Sequence, residues 1–202
     1  MYTGGPSVEA TTDNDSPASC FAADSVVTMV SGESKSISEV VVGDSILAAT
    51  SDLGLYWSRV IAIPHLKNLI PAEFIQINLL SGKSVKMTYE HLLPSGSCGQ
   101  RVVFTLKAAF LLKIGECVLT DSGNDAIQSI EIVKGRGLYS LVTEMPFVVI
   151  NGVVASPFAV SHDAANLYYD IYRLFYYLFP TFMASSTFMK MHDKVSFYAF
   201  SL

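Results

Sequence analysis

From Phe21 to about Val160 the chain runs as a succession of short apolar and β-branched stretches, several with polar residues at alternate positions. They include Val26-Val27-Thr28-Met29-Val30, Ser45-Ile46-Leu47-Ala48, Arg59-Val60-Ile61-Ala62-Ile63, Phe74-Ile75-Gln76-Ile77-Asn78 and Ser84-Val85-Lys86-Met87-Thr88. Ile127-Gln128-Ser129-Ile130-Glu131-Ile132-Val133, Leu138-Tyr139-Ser140-Leu141-Val142 and Phe147-Val148-Val149-Ile150 follow. A period of two, with Gly-, Asn- or Ser-containing turns between runs, is the signature of half-buried strands. The pattern predicts an all-β domain with one-turn helical segments around residues 36–41 and 106–112.

The pattern also repeats. Ile37-Ser38-Glu39-Val40-Val41-Val42-Gly43-Asp44-Ser45-Ile46-Leu47 matches Ala109-Phe110-Leu111-Leu112-Lys113-Ile114-Gly115-Glu116-Cys117-Val118-Leu119 in form. Each is a helical turn, a Gly-acidic turn and a strand. The strand at residues 60–63 has a counterpart at 130–133, and the hairpin at 74–88 has one at 138–151. Two similar β halves predict a pseudo-twofold sandwich.

Both ends differ from this middle. Residues 1–19 are mostly small and polar, and read as a flexible leader. They lack the basic-then-apolar order of a secretory signal, so a signal in a secreted parent would lie outside this chain. Beyond Val160, residues 164–182 carry Leu167, Tyr168, Tyr169, Ile171, Tyr172, Leu174, Phe175, Tyr176, Tyr177, Leu178 and Phe179. That is a helix apolar on nearly every side, interrupted by Asp170, Arg173 and Pro180, and a poor membrane span. The expected division is a leader at 1–19, a β domain at 20–160 and an aromatic-rich tail at 161–202.

Half of the 202 residues are apolar and 15% are charged, which allows a sizeable core. A net charge of −5 without a Lys/Arg cluster argues against a nucleic-acid partner. The three cysteines, Cys20, Cys98 and Cys117, show no paired spacing, so neither a zinc site nor a disulfide framework is expected, and no cofactor is implied. Cys117, in an apolar strand-like run, reads as a small core residue and Cys98 as a loop residue.

Cys20 stands instead where the polar leader gives way to the β domain. A cysteine sulfur reaches the carbonyl just before its own residue through a five-membered ring. Attack there shifts the acyl group from nitrogen to sulfur and leaves a thioester. An amide resists this unless its carbonyl is polarised or its peptide is strained, and unless the departing nitrogen receives a proton. Thr88 and His91, three residues apart at the end of a predicted strand, are candidates for those two roles; an imidazole suits proton delivery near neutral pH.

Cys20-Phe21-Ala22-Ala23-Asp24-Ser25-Val26, Gly43-Asp44-Ser45-Ile46-Leu47, Thr88-x-x-His91 and Asn151-Gly152-Val153-Val154-Ala155-Ser156-Pro157-Phe158-Ala159-Val160 together resemble the blocks of Hedgehog C-terminal autoprocessing (Hog/Hint) domains, in the same order and register. The resemblance implies the Hint pseudo-twofold β-sandwich horseshoe shared with inteins, with a C-terminal helical appendix. It also implies self-cleavage at Ser19–Cys20 through a thioester on Cys20. Passage through the secretory pathway would follow from the same family. Asp24 and Asp44 read as structural turn residues.

Three departures stand out. His65 falls where sterol-transferring members carry the Asp that activates the incoming hydroxyl, and is either a replacement base or a turn histidine beside Pro64. Ser19 stands where Gly is usual. Pro157 replaces a Cys common in its motif. Splicing inteins end on a His-Asn pair, whereas the corresponding strand end here reads Val153-Val154-Ala155-Ser156, which cannot cyclise, so N-terminal cleavage without splicing is expected. The N-terminal flank is then the substrate, and the acceptor is a sterol hydroxyl, as in Hedgehog proteins, or water. The aromatic tail could hold a sterol or lipid acceptor, pack on the core, or touch a membrane surface. A different class of reading is an inactive β-sandwich serving as a binding module, which would retain residues 1–19.

Overall fold

The computed structural model describes residues 20–158 and 162–179. Eleven strands dominate them: β1 (Val26–Thr28), β2 (Ser34–Ser36), β3 (Ser45–Ala49), β4 (Leu55–Leu79), β5 (Ser84–Met87), β6 (Leu92–Ser97), β7 (Thr105–Ala108), β8 (Glu116–Thr120), β9 (Gly123–Thr143), β10 (Phe147–Ile150) and β11 (Val153–Ala155). One helix, α1 (His162–Leu178), follows. β1 and β2 form a two-stranded ribbon. The others form one antiparallel sheet in the order β11-β10-β3-β4-β9-β8-β6-β7, with β5 added to β4 and β11 pairing back to β8 at Val153–Thr120.

The turn element of the repeat seen in sequence is present in both halves. Each half places a single 3-10 turn, Ile37–Glu39 or Ala109–Leu111, before its Gly-acidic turn. Gly43 (φ 100°) and Gly115 (φ 85°) occupy the left-handed region, which glycine enters without a Cβ clash. The acid after each is held by the same kinds of partner, a lysine and the amide three residues earlier. Asp44 accepts from Lys35 Nζ (2.7 Å) and from the Val41 amide (2.9 Å). Glu116 accepts from Lys107 Nζ (2.7 Å) and from the Lys113 amide (3.2 Å). Asp44 is therefore the structural turn residue expected, and Asp24 forms an ion pair with Lys86.

Several expected strands are parts of longer ones. β4 fuses the runs at 59–63 and 74–78, and β9 fuses those at 127–133 and 138–142, so that the two lie side by side over most of their length. The pairing slips between Ala62 and His65 and between Lys67 and Pro71, and those slips accommodate Pro64 and Pro71, which lack the N–H a regular ladder needs. The hairpin at 74–88 forms, with Ile75 opposite Met87. The one expected at 138–151 does not: β10 turns away from β9 to pair with β3 and, across Asn151-Gly152, with β11. Both turn residues have positive φ, as a two-residue hairpin turn demands.

The main core lies inside the sandwich, with Phe21, Ile46, Ile77, Met87, Leu93, Tyr139 and Ile150 fully buried. A second cluster joins Ile61, Ala62, Val142 and Phe158 to Tyr169 and Tyr176 of α1. Arg173, on the same face of α1, donates to the carbonyls of Thr143 (3.1 Å) and Met145 (3.3 Å). The helix thus contributes to the core while Leu167, Ile171, Leu174, Phe175 and Leu178 remain exposed.

The expectation for Cys98 and Cys117 is wrong. They form a disulfide. Gly96 and Cys117 pair across β6 and β8, which brings Cys98, just past the end of β6, opposite the neighbouring strand. Local spacing carried no sign of this, because the pairing depends on which strands become neighbours. With the two cysteines 19 positions apart in sequence, closing that loop in the unfolded chain stabilises the fold by about 3 kcal/mol. A Cys98→Ser/Cys117→Ser variant should lose about that much in urea unfolding, and its Tm should fall by roughly 6–12 °C. An unchanged urea midpoint would show that the bond adds nothing.

Candidate active site

Residues 20–23 enter the sandwich as an extra strand between β5 and β9. Phe21 bridges to both Met87 and Tyr139. Its amide donates to the Tyr139 carbonyl (2.8 Å) and its carbonyl accepts from the Tyr139 amide (3.1 Å). Cys20 is held at the same depth: its carbonyl accepts from the Thr88 amide (2.9 Å), and its own amide donates to Thr88 Oγ1 (3.1 Å). Thr88 sits one residue past β5, in the position that meets this peptide nitrogen.

The Thr-x-x-His spacing is a turn. The His91 amide donates to the Thr88 carbonyl (3.2 Å), so the chain reverses between the two and returns the imidazole to the segment that Thr88 holds. Phe21 packs against that ring, with centroids 4.2 Å apart. His91 Nε2 lies 2.6 Å from the carbonyl oxygen of Ser156, just past β11, and the ring also hydrogen-bonds the main chain of Cys20. A carbonyl can only accept, so the nitrogen that meets Ser156, Nε2, carries a proton.

The site is dry. Cys20, Thr88, His91 and Ser156 are all buried. The Cys20 side chain sits among Ala22, Phe74 and Leu138, with Ala72 and Val133 at the edge. Phe74 can close in because residue 135 is glycine; a Cβ there would lie 2.8 Å from its ring. Burial lowers the His91 pKa from 6.5 to about 3, although its hydrogen bonds to the Ser156 and Cys20 main chains favour the charged form.

The structure therefore brings Cys20, Thr88 and His91 together. Ser19 lies outside the described residues. The backbone of His65 pairs with Ser140 in β9, one residue from the Tyr139 that pairs with Phe21, while its side chain is outside the described residues. The sequence reading missed the Ser156 carbonyl, the Phe21 ring and Tyr139. The first and last act through main-chain atoms, which leave no mark in residue type; the Cys-Phe start was the one available signal for Phe21.

The family model of the Hint module matches residues 10–202. The chain belongs to the Hint family. This Hint chain is 31% identical over 182 residues to Protein qua-1 of Caenorhabditis elegans, covering 81% of the chain and 15% of that protein. It is 28% identical over 175 residues to the Sonic hedgehog protein of Danio rerio, covering 80% of the chain and 42% of that protein. The chain thus spans less than half the length of either. A DnaB intein from Synechocystis superposes with a TM-score of 0.58 at 17% identity, over 71% of this chain and 99% of the intein, and so shares its fold. The Hint fold read from sequence is the fold observed, and the domain is of the autoprocessing type.

The buried neutral imidazole makes stability depend on pH. Its folded pKa, about 3, lies below the ordinary 6.5, so between those values the unfolded chain binds a proton that the folded chain does not. Stability should be unaffected by this group above pH 7 and fall as pH drops below 6.5, by about 2–3 kcal/mol at pH 4.5. Urea unfolding of Cys20→Ala protein at pH 7 and pH 4.5 reads this loss, and adding His91→Gln should remove most of it. An equal acid loss with and without His91 would contradict the assignment.

Proposed function

We propose that this domain cleaves its own chain at Ser19–Cys20 by an N-to-S acyl shift. Cys20 Sγ attacks the Ser19 carbonyl carbon, the C–N bond to Cys20 breaks, and residues 1–19 are left as a thioester on Cys20. The thiol proton passes by way of His91 to the departing nitrogen, which becomes the free amine of Cys20. The observation that carries this reading is the pair of contacts on Cys20: Thr88 Oγ1 at 3.1 Å from its amide nitrogen, and the His91 ring hydrogen-bonded to its main chain. Thr88 fixes the orientation of the scissile peptide. His91, neutral at pH 7 and strongly acidic once protonated, takes up a proton only transiently and gives it up readily.

An acceptor then resolves the thioester: a nucleophile attacks the Ser19 carbonyl, residues 1–19 leave on it, and the Cys20 thiol is regenerated. The Hedgehog resemblance favours a sterol hydroxyl over water, with His65 as the base that activates it. The exposed apolar stripe of α1 supports contact with a sterol, a lipid or a membrane surface on that side of the domain. The Cys98–Cys117 disulfide supports passage through an oxidising compartment, as expected for a secreted parent.

Intact mass of freshly made protein tests the reading. Hydroxylamine is the better probe than dithiothreitol, because it intercepts thioesters and leaves the Cys98–Cys117 disulfide intact. Release of residues 1–19 should accelerate with hydroxylamine at neutral pH and be absent in Cys20→Ala. His91→Ala should block release, whereas His65→Ala should retain hydroxylamine release and lose only transfer to the native acceptor. Full-length protein persisting for hours in hydroxylamine would sink self-cleavage and favour the binding module that keeps its leader.

A further inference from the structure

The hydrogen bond between His91 Nε2 and the Ser156 carbonyl holds a proton on Nε2 and fixes the orientation of the ring, so whatever aims that carbonyl acts on the site. Four contacts converge on the short segment carrying it. The Ser156 amide donates to the Leu92 carbonyl (2.9 Å), which ties the segment to β6 directly after His91. The Phe158 amide donates to Ser156 Oγ (3.0 Å), closing the turn on itself. Pro157 confines Ser156 to extended backbone, because its ring crowds the residue before it. Finally Ser140 Oγ, buried in β9, donates to the Pro157 carbonyl (3.2 Å).

The last contact differs in kind from the others. It comes from a side chain, and from the strand that holds the nucleophile's own segment: Tyr139, the neighbour of Ser140, makes the paired main-chain bonds to Phe21. Ser140 also stands opposite His65 in the β4–β9 register. One hydroxyl thus ties Pro157, the residue after the carbonyl that orients His91, to the strand that positions Cys20. In the neighbouring position, the Cys usual in this motif is replaced by Pro157, whose carbonyl is the atom that Ser140 grips.

We propose that Ser140 is a positioning residue for self-cleavage, latching the Ser156–Pro157 segment to β9 so that His91 keeps its Nε2–H form. This rests on the acyl-shift reading above, and its test has one arm that does not. In the full chain with Cys20→Ala, which cannot cleave, nitrogen NMR of labelled histidines reads the His91 tautomer. The parent should show the Nε2–H form alone, and adding Ser140→Ala should introduce the Nδ1–H form. With Cys20 restored, Ser140→Ala should slow hydroxylamine-induced release about fivefold, the scale of one lost neutral hydrogen bond, with Tm changed by no more than a few degrees. Ser140→Thr, which keeps the hydroxyl, should restore both tautomer and rate. An unchanged tautomer in Ser140→Ala would overturn the proposal, as would a Ser140→Thr variant as impaired as Ser140→Ala. A locked tautomer lost in Ser140→Ala, in a chain that never cleaves, would remove the acyl-shift reading and leave the latch standing.

Discussion

The capture of residues 20–23 as an inner strand is the constraint on which the site depends. Main-chain bonds to Tyr139, Arg136, Lys86 and Thr88 hold these four residues from both sides. Each pairs a polar group that burial would otherwise leave unsatisfied, at a cost of about 1–3 kcal/mol apiece. Burying the Phe21 side chain adds a further 2–3 kcal/mol or so. The two sources of stability are linked, because Phe21 reaches the core and the His91 ring only while its backbone is paired. The peptide nitrogen of Cys20 is therefore fixed by the fold itself, on a rigid element rather than a loop, which is what placing reacting atoms to within a fraction of an ångström requires.

The pseudo-symmetry explains why such a strand position exists. Each half ends its Gly-acidic turn in the same lysine-acid clasp, and the long pairing of β4 with β9 joins the halves. The site draws on both. Thr88 and His91 follow β5 of the first half, Tyr139 and Ser140 lie on β9 of the second, and Ser156 follows β11, which closes the sheet against β8. A duplicated scaffold thus supplies matching walls.

Much of this was legible in the sequence, and what was not has physical causes. Strand positions, the one-turn helices and the repeat follow from local periodicity and turn chemistry, which are properties of neighbours in the chain. The grouping of Cys20, Thr88 and His91 was legible because the proposed chemistry needs particular side chains at particular spacings. The Cys98–Cys117 bond was not, since it depends on β6 lying next to β8. Nor was the fusion of runs into β4 and β9: a proline cannot join a regular ladder, and only the slips in pairing show how β4 passes through Pro64 and Pro71. The turning of β10 toward β3 is a tertiary choice of the same sort. The Ser156 carbonyl is the hardest case, because every residue has one and only geometry gives it a role.

The relation between the tail and the site follows from how little separates them. Phe158 is two residues past the carbonyl that holds His91, its amide is bound to Ser156 Oγ, and its ring stacks on Tyr169 of α1 at 5.3 Å between centroids. The helix is thus braced against the segment that orients the imidazole, and Tyr176 and Arg173 fasten it to the same end of the sandwich. Its opposite face carries the exposed apolar stripe. Anything that moves α1 by gripping that stripe acts on Phe158 directly, and through a single hydrogen-bonded turn on His91. On the proposed reading, a tail that met an acceptor would by the same packing also support the first step, and the two stages would share a wall rather than occupy separate modules.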